Sequence, residues 1–350
     1  MSVFNTLKFQ KPGFKLALVA TILATLVILL GTFTRLVDAG LGCPDWPGCY
    51  GKVFWVNSAN EISQAEMLYP DSSVEVDKAG LEMIHRFLAG VLGLIIVSLA
   101  VISWRQRDNE NAPFRLPTFI LFLVAWQILF GMWTVTLKLW PQIVTLHMLG
   151  GVVTFSLLWL LTLRLDDQCW KISAKVMGKL TQVKPWVIIA IVITGVQMLL
   201  GAWTSSNYAA FACPDFPTCQ GQWWPEMDLK KGFNLFQSIG PNYLGGLLES
   251  DARVAIHVIH RLGALLTSVY LLGLCGLLLI IKDRRVRRMA IIVFVVLFMQ
   301  LALAISNVAL MSPLIIAITH TTVSVVLLLT LVTLATKVWT AKLEYQRPEF

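Results

Sequence analysis

Five histidines carry the densest chemical information in the chain: His85, His147, His257, His260 and His320. The stretch between His85 and His147 is close in length to that between His260 and His320, which sorts four of them into two pairs. Two neutral imidazoles facing each other at one depth across an apolar helical bundle suit axial ligation of heme iron. Zinc is a poorer match, because a structural zinc site wants four nitrogen or sulfur ligands and each pair falls short. A single buried histidine is ordinarily a hydrogen-bonded packing residue; pairwise recurrence favours ligation. Glu82 stands one helical turn before His85 on the same face, and His257 holds the matching place before His260. A carboxylate at one site only suggests proton-coupled chemistry there and electron transfer at the other, the alternative being an interfacial Glu facing water. Arg86 and Arg261 directly follow His85 and His260, placed either to pair with heme propionates or to snorkel to a membrane surface.

Cysteines form a second pattern. Cys43 and Cys49, and Cys213 and Cys219, share one spacing. In an oxidising compartment each pair can close a disulfide, either as a structural staple or as a redox couple beside the histidine sites. A metal site is disfavoured, because the thiols are farther apart in sequence than metal-binding spacings allow. Cys169 and Cys275 are expected to be free.

Elements that could position these groups follow from composition. The 350 residues are 57% hydrophobic and 14% charged, with mean hydropathy +0.72, which excludes a soluble enzyme, a disordered chain and a fibrous protein. Apolar blocks at roughly 15–35, 79–103, 116–137, 143–163, 185–205, 252–281, 289–311 and 314–336 are each long enough to cross a bilayer. The expected fold is an all-α polytopic membrane protein. The first block follows Lys8, Lys11 and Lys15 but is long for a signal-peptide core, and no small-residue cleavage site follows it. Nineteen of the twenty-eight Lys and Arg, from Lys8 to Arg347, fall on the side holding both termini and the segments 104–115, 164–184 and 282–288. That side is expected to be cytoplasmic, with both termini inside. The net charge of +8 therefore reflects topology and does not imply a nucleic-acid partner. Outside lie two long loops, 36–78 and 206–251, and two short ones near Trp140-Pro141 and Ser312-Pro313. All five histidines fall in the outer portions of even-numbered spans, where ionisable residues are costly and point to function. Phe87, Phe130, Trp133 and Trp159 add apolar lining in the first half, with no individual role.

The chain repeats itself. Cys43-Pro44-Asp45-Trp46-Pro47-Gly48-Cys49-Tyr50-Gly51 matches Cys213-Pro214-Asp215-Phe216-Pro217-Thr218-Cys219-Gln220-Gly221 at an offset of 170. Gly31-Thr32-Phe33-Thr34 lines up with Gly201-Ala202-Trp203-Thr204 at the same offset. His85-Arg86 pairs with His260-Arg261 at 175, and His147 with His320 at 173. Two pseudo-symmetric four-helix bundles, 1–170 and 171–350, are expected, related by an axis along the membrane normal. A fainter echo links Gln127–Thr134 with Gln197–Thr204 and hints at an earlier doubling of a helix pair.

Together, the eight spans, Glu82-x-x-His85-Arg86, His147, His260-Arg261, His320 and the two cysteine pairs resemble heme A synthases, over nearly the whole chain. The paired cysteines are similar to bacterial members. The resemblance implies an oxidoreductase that converts the C8 methyl of heme O to a formyl group, giving heme A for cytochrome oxidase assembly. It implies heme O as substrate between His85 and His147, with Glu82 essential, and a heme b cofactor on His260 and His320. It also implies an activity-linked Cys43/Cys49 pair, a second pair at Cys213/Cys219 and an electron acceptor in the membrane. It leaves room for contact with heme O synthase, the protoheme farnesyltransferase, and for a homo-oligomer. The Pro-rich cysteine loops and His257 depart from the familiar family pattern. The rival reading is a bis-histidine membrane cytochrome b that takes electrons from quinol, and a weaker one is a heme carrier.

Overall fold

The computed structural model describes residues 11–109, 113–166 and 168–344. Of the basic residues used to orient the chain, Lys8 and Arg347 lie outside the described residues. Eight helices are long and apolar enough to span a membrane: α1 (Phe14–Leu36), α3 (Val76–Arg105), α4 (Arg115–Thr136), α5 (Pro141–Asp166), α6 (Ala174–Ser206), α8 (Ser250–Leu279), α9 (Arg284–Ala309) and α10 (Leu314–Thr340). Two shorter helices, α2 (Ala59–Leu68) and α7 (Leu229–Gly232), lie in the long loops. Helices suit a bilayer because each satisfies its own backbone, and numerous Ser and Thr hydroxyls return a hydrogen bond to the carbonyl one turn back, as Thr21 does to Ala17 at 2.8 Å.

The largest departure from the sequence expectation is α6, which starts eleven residues before 185 and carries Pro185 inside it. Proline removes one backbone donor, yet the added turns bury Val176, Leu180 and Val183 against the C-terminal core. Lys175, Lys179 and Lys184 lower the hydropathy of this segment and so hide its apolar face. A two-residue parallel pairing of Lys171–Ile172 with Lys342–Leu343 joins the inter-half linker to the end of α10. The Lys11 amide donates to the Leu165 carbonyl at 2.9 Å, so the two described ends share one face of the molecule.

Helices α1, α3, α4 and α5 pack as one bundle, and α6, α8, α9 and α10 as a second. The N-terminal core runs through Ala20, Ile96, Leu158 and Leu161, and the C-terminal core through Val187, Leu274, Val293 and Leu331. Both cores close the halves of the bundles remote from the disulfide loops. The bundles meet through α5, α6, α1 and α10. At this seam Arg35 bonds the Ser205 carbonyl, and the Tyr208 hydroxyl donates to Asp38 at 2.7 Å. Residues 35 and 205, and 38 and 208, are repeat counterparts at offset 170. A residue touches its own counterpart only where a two-fold axis passes, so these contacts locate the pseudo-symmetry axis.

Candidate functional site: two histidine pairs beneath the disulfide loops

Each site begins with a close approach. The His85 ring lies on Gly31 of α1, where a Cβ would come within 2.9 Å of Cε1. His147 sits likewise on Gly131 of α4, and His260 on Gly201 of α6, at 3.3 and 3.2 Å. A Cβ at Gly31 would force the imidazole to shift, and one at Gly131 or Gly201 would press it aside by a few tenths of an ångström. His147 is near enough to His85, and His260 to His320, for each pair to interact electrostatically. Each expected pair thus shares one electrostatic neighbourhood within its own bundle.

The imidazole nitrogens are buried. Nδ1 of His85 and of His147 makes no hydrogen bond of ordinary geometry, with the Val27 and Gln127 backbones the nearest polar groups acting on the two rings, an arrangement seldom left in a packed interior without a reason. Among the described residues, no three His, Cys, Asp or Glu side chains cluster as a metal site. Paired imidazoles, ring seats that a Cβ would fill and unmet ring nitrogens together fit the axial ligation of a heme.

Glu82 is buried, 5% exposed, rather than facing water. It accepts a hydrogen bond at Oε2 from the Cys43 amide at 3.0 Å and forms an ion pair at Oε1 with Arg86. In the other half His257 is equally buried, and its Nδ1 has no partner. The two halves thus place a carboxylate and an imidazole at matching positions.

Disulfides join Cys43 to Cys49 and Cys213 to Cys219, while Cys169 and Cys275 are free. Both loops fold the same way because the same side chains organise them. Asp45 receives the Tyr50 and Gly51 amides at 2.6 and 2.8 Å, and Asp215 receives those of Gln220 and Gly221 at 2.6 and 3.0 Å. Tyr50 and Gln220 both adopt φ 54°, and Gly51 and Gly221 follow at 74° and 75°, left-handed conformations in which glycine is unstrained. The Thr218 hydroxyl, with the Gly221 amide, holds the Asp215 carboxyl below the usual carboxylate range.

The arginines fasten these loops to the helices. Arg86 Nη1 donates to the carbonyls of Asp45, Pro47 and Gly48, the last at 2.6 Å. Arg261 donates to those of Cys213, Asp215 and Thr218 at 3.1, 2.8 and 2.8 Å. The guanidinium forks therefore serve backbone carbonyls above each site, and Arg261 Nε remains buried without a partner. Of the aromatic lining residues, Phe130 and Trp133 pack on each other, Phe87 packs on Phe54 of the first loop, and Trp159 Nε1 donates to Thr333 across the seam at 2.8 Å.

Sequence reasoning overlooked the buried glutamines. Gln197 Nε2 lies 3.1 Å from His260 Nδ1, and Gln300 Nε2 lies 3.3 Å from His320 Nδ1. The available signal was position: Gln127 and Gln197 stand four residues before Gly131 and Gly201, in segments already noticed for their likeness.

Fold and site define a polytopic all-α membrane protein in which two four-helix bundles each carry two buried histidines and a disulfide-closed loop. Residues 14–332 match the COX15-CtaA family, described as "Cytochrome oxidase assembly protein". The chain belongs to that family. It is 40% identical over 324 residues to the heme A synthase of Shewanella oneidensis, covering 92% of this chain and 95% of that one. It is 26% identical over 264 residues to the heme A synthase of Shouchella clausii, covering 74% of each.

Proposed function

We infer that this chain is a heme A synthase of a bacterial plasma membrane, an enzyme that oxidises the C8 methyl of heme O to a formyl group for cytochrome oxidase assembly. Family membership and the extent of the likeness to named heme A synthases support the overall reading. The observation that carries the reaction is an asymmetry between two sites built on one scaffold: buried Glu82 beside His85, against His257 beside His260.

On this reading the N-terminal half, 1–170, takes heme O between His85 and His147. The C-terminal half, 171–350, keeps heme b between His260 and His320. Bound heme supplies one-electron redox chemistry. Glu82 takes up a proton released as the substrate methyl is oxidised. Arg86 and the Cys43 amide hold one carboxylate oxygen each, so the carboxylate is oriented before substrate arrives. Arg86 and Arg261 hold the loops over the sites, and the free Arg261 Nε is an N–H available to an anionic heme substituent. The Cys43/Cys49 disulfide sits where its state would act directly on Glu82, through the Cys43 amide. The charge asymmetry of the loops supports cytoplasmic termini. A membrane electron acceptor, contact with the farnesyltransferase that makes heme O, and self-association belong to the same proposal.

The test is Glu82→Gln protein made in cells that supply heme O, with extraction and chromatography of the bound hemes. Retained heme O without heme A is expected. Heme A at the wild-type rate would remove Glu82 from the reaction. Wild-type protein carrying only b-type heme, with quinol activity and no heme A or hydroxylated intermediate, would replace the synthase by an electron-transfer cytochrome.

A further inference from the structure

The connection between α8 and α9 is short and strongly basic. Residues 282–288 read Lys-Asp-Arg-Arg-Val-Arg-Arg, five cations and one carboxylate in seven positions. Positive charge in a short loop records topology, but it does not say what the side chains do once folded. Asp283 caps α9 by accepting the Arg285 and Val286 amides at 2.8 and 3.2 Å, and it pairs with Arg285 at 3.6 Å. Arg285 also donates to the Lys171 carbonyl at 2.6 Å. Arg287 Nε donates to the Leu279 and Ile281 carbonyls, both at 3.1 Å, and so closes the end of α8. These bonds fix the turn and engage its one carboxylate.

Lys282, Arg284 and Arg288 remain. All three are exposed, and none has a hydrogen bond or ion pair among the described residues. With Asp283, Arg287 and Ile291 they line an open pocket of about 590 Å³. Three unpaired cations around a concavity whose carboxylate is already paired attract a multiply charged anion.

The surface next to the pocket selects the kind of anion. Arg284, Arg288, Ile291, Val295 and Phe298 recur at helical spacing along one face of α9. Ile291, Val295 and Phe298 are 53, 47 and 66% exposed. The face therefore runs from the charged pocket into the apolar surface of a membrane-spanning helix. A free phosphate would use the cations alone, whereas an anionic head with hydrocarbon tails uses both.

We propose that this pocket binds the headgroup of an anionic phospholipid, cardiolipin, whose two phosphates meet Lys282, Arg284 and Arg288 while its acyl chains lie along Ile291, Val295 and Phe298. On the topology inferred above, the lipid comes from the cytoplasmic leaflet. The proposal stands apart from the heme reading, because the pocket lies at the far ends of α8 and α9 from His260 and Gln300. Bound lipid braces the α8–α9 turn and, through Arg285, the Lys171–Ile172 strand that links the halves.

The experiment uses delipidated full-length protein in detergent, with lipid adducts counted by native mass spectrometry and the thermal midpoint followed as lipid is added. Cardiolipin should bind and raise the midpoint, phosphatidylglycerol less so, and phosphatidylcholine and soluble glycerol 1-phosphate should do neither. Arg284→Gln/Arg288→Gln should weaken cardiolipin binding about 10-fold or more. Lys175→Gln/Lys179→Gln, a basic pair at the same spacing on α6 outside the pocket, should bind as wild type does. Equal weakening in the two pairs would reduce the site to general surface charge and overturn it. Glycerol 1-phosphate as protective as cardiolipin would make it a bare anion site, and phosphatidylcholine binding as tightly would remove the cations from it. Cardiolipin binding no tighter than phosphatidylglycerol would overturn the two-phosphate match. Should Arg284→Gln/Arg288→Gln fail to fold, Lys282→Gln carries the test, and wild-type cardiolipin affinity there would overturn the proposal.

Discussion

The N-terminal and C-terminal sites share a scaffold down to individual hydrogen bonds and differ in a few side chains. Both seat a histidine on a glycine, close a loop with a disulfide, organise it on an aspartate and pin it with the arginine that follows the histidine. Against that common frame stand Glu82 and His257, Val27 and Gln197, and Leu88 and Gly263. The loops diverge as well. The first carries α2, begun by a reciprocal cap between Ser58 and Glu61. The second crosses the seam, where the Tyr243 amide donates to the Lys138 carbonyl at 3.0 Å and Trp140 Nε1 to the Gln237 carbonyl at 3.2 Å. The seats and loops are what both halves need to hold an imidazole pair; the differing side chains decide what each pair does.

Removing a ligand gives the sharpest separation. His85→Ala and His260→Ala should each lose a different heme entirely, read by chromatography of extracted pigment, and loss of the same heme from both would collapse the two-site view. Next comes the carboxylate: Glu82→Gln should lower turnover by roughly 10²–10⁴-fold, the usual contribution of a positioned proton acceptor. His257→Gln should leave turnover within a few-fold if the second site carries electrons alone.

The loops offer intermediate effects. Opening either disulfide with a Cys→Ser pair should cost roughly 2 kcal/mol, the loop-closure value for so short a ring, seen as a lowered thermal midpoint in detergent. Only Cys43→Ser/Cys49→Ser should also depress turnover, because the Cys43 amide bonds Glu82. Arg86→Lys and Arg261→Lys each leave loop carbonyls short of a donor and should destabilise by about 1–3 kcal/mol. Equal loss of activity in those two variants would contradict the asymmetric role of the first loop.

The smallest effect concerns α2. Lys52 at 2.6 Å, with the Asn57 and Ser58 amides and the Ser58 hydroxyl, pulls the Glu61 carboxyl down to about 2 from the usual 4.5. A depressed carboxylate stabilises the folded loop fully above pH 4.5, and the contribution fades as pH falls from there through about 2. Hydrogen exchange at the start of α2, relative to its intrinsic rate at each pH, should quicken over that window in wild-type protein. In Glu61→Gln it should be fast at neutral pH, and salt should narrow the difference because the group is exposed.

Much of the fold was legible because span length and apolarity are local properties of the chain. All eight spans and the loop cysteine pairs followed from hydropathy and repeat offsets. The start of α6 did not, since its lysines mask an amphipathic turn whose burial depends on α8, α9 and α10. Arg86 and Arg261 were legible as neighbours of histidines, but their grip on loop carbonyls was not.

The sequence by itself determined how many helices are long and apolar enough to cross a membrane, and that two halves share one plan, because a periodic apolar chain in a bilayer has few other ways to satisfy its backbone. Only the tertiary structure decided which polar atoms meet. That Glu82 is shared between Arg86 and a cysteine amide, that Gln197 and Gln300 face histidines, and that Arg35 and Tyr208 lie on the axis all depend on the rotation and close approach of packed helices. Those are set by side-chain volumes, such as the glycines under the imidazole rings, contributed by segments far apart in the chain.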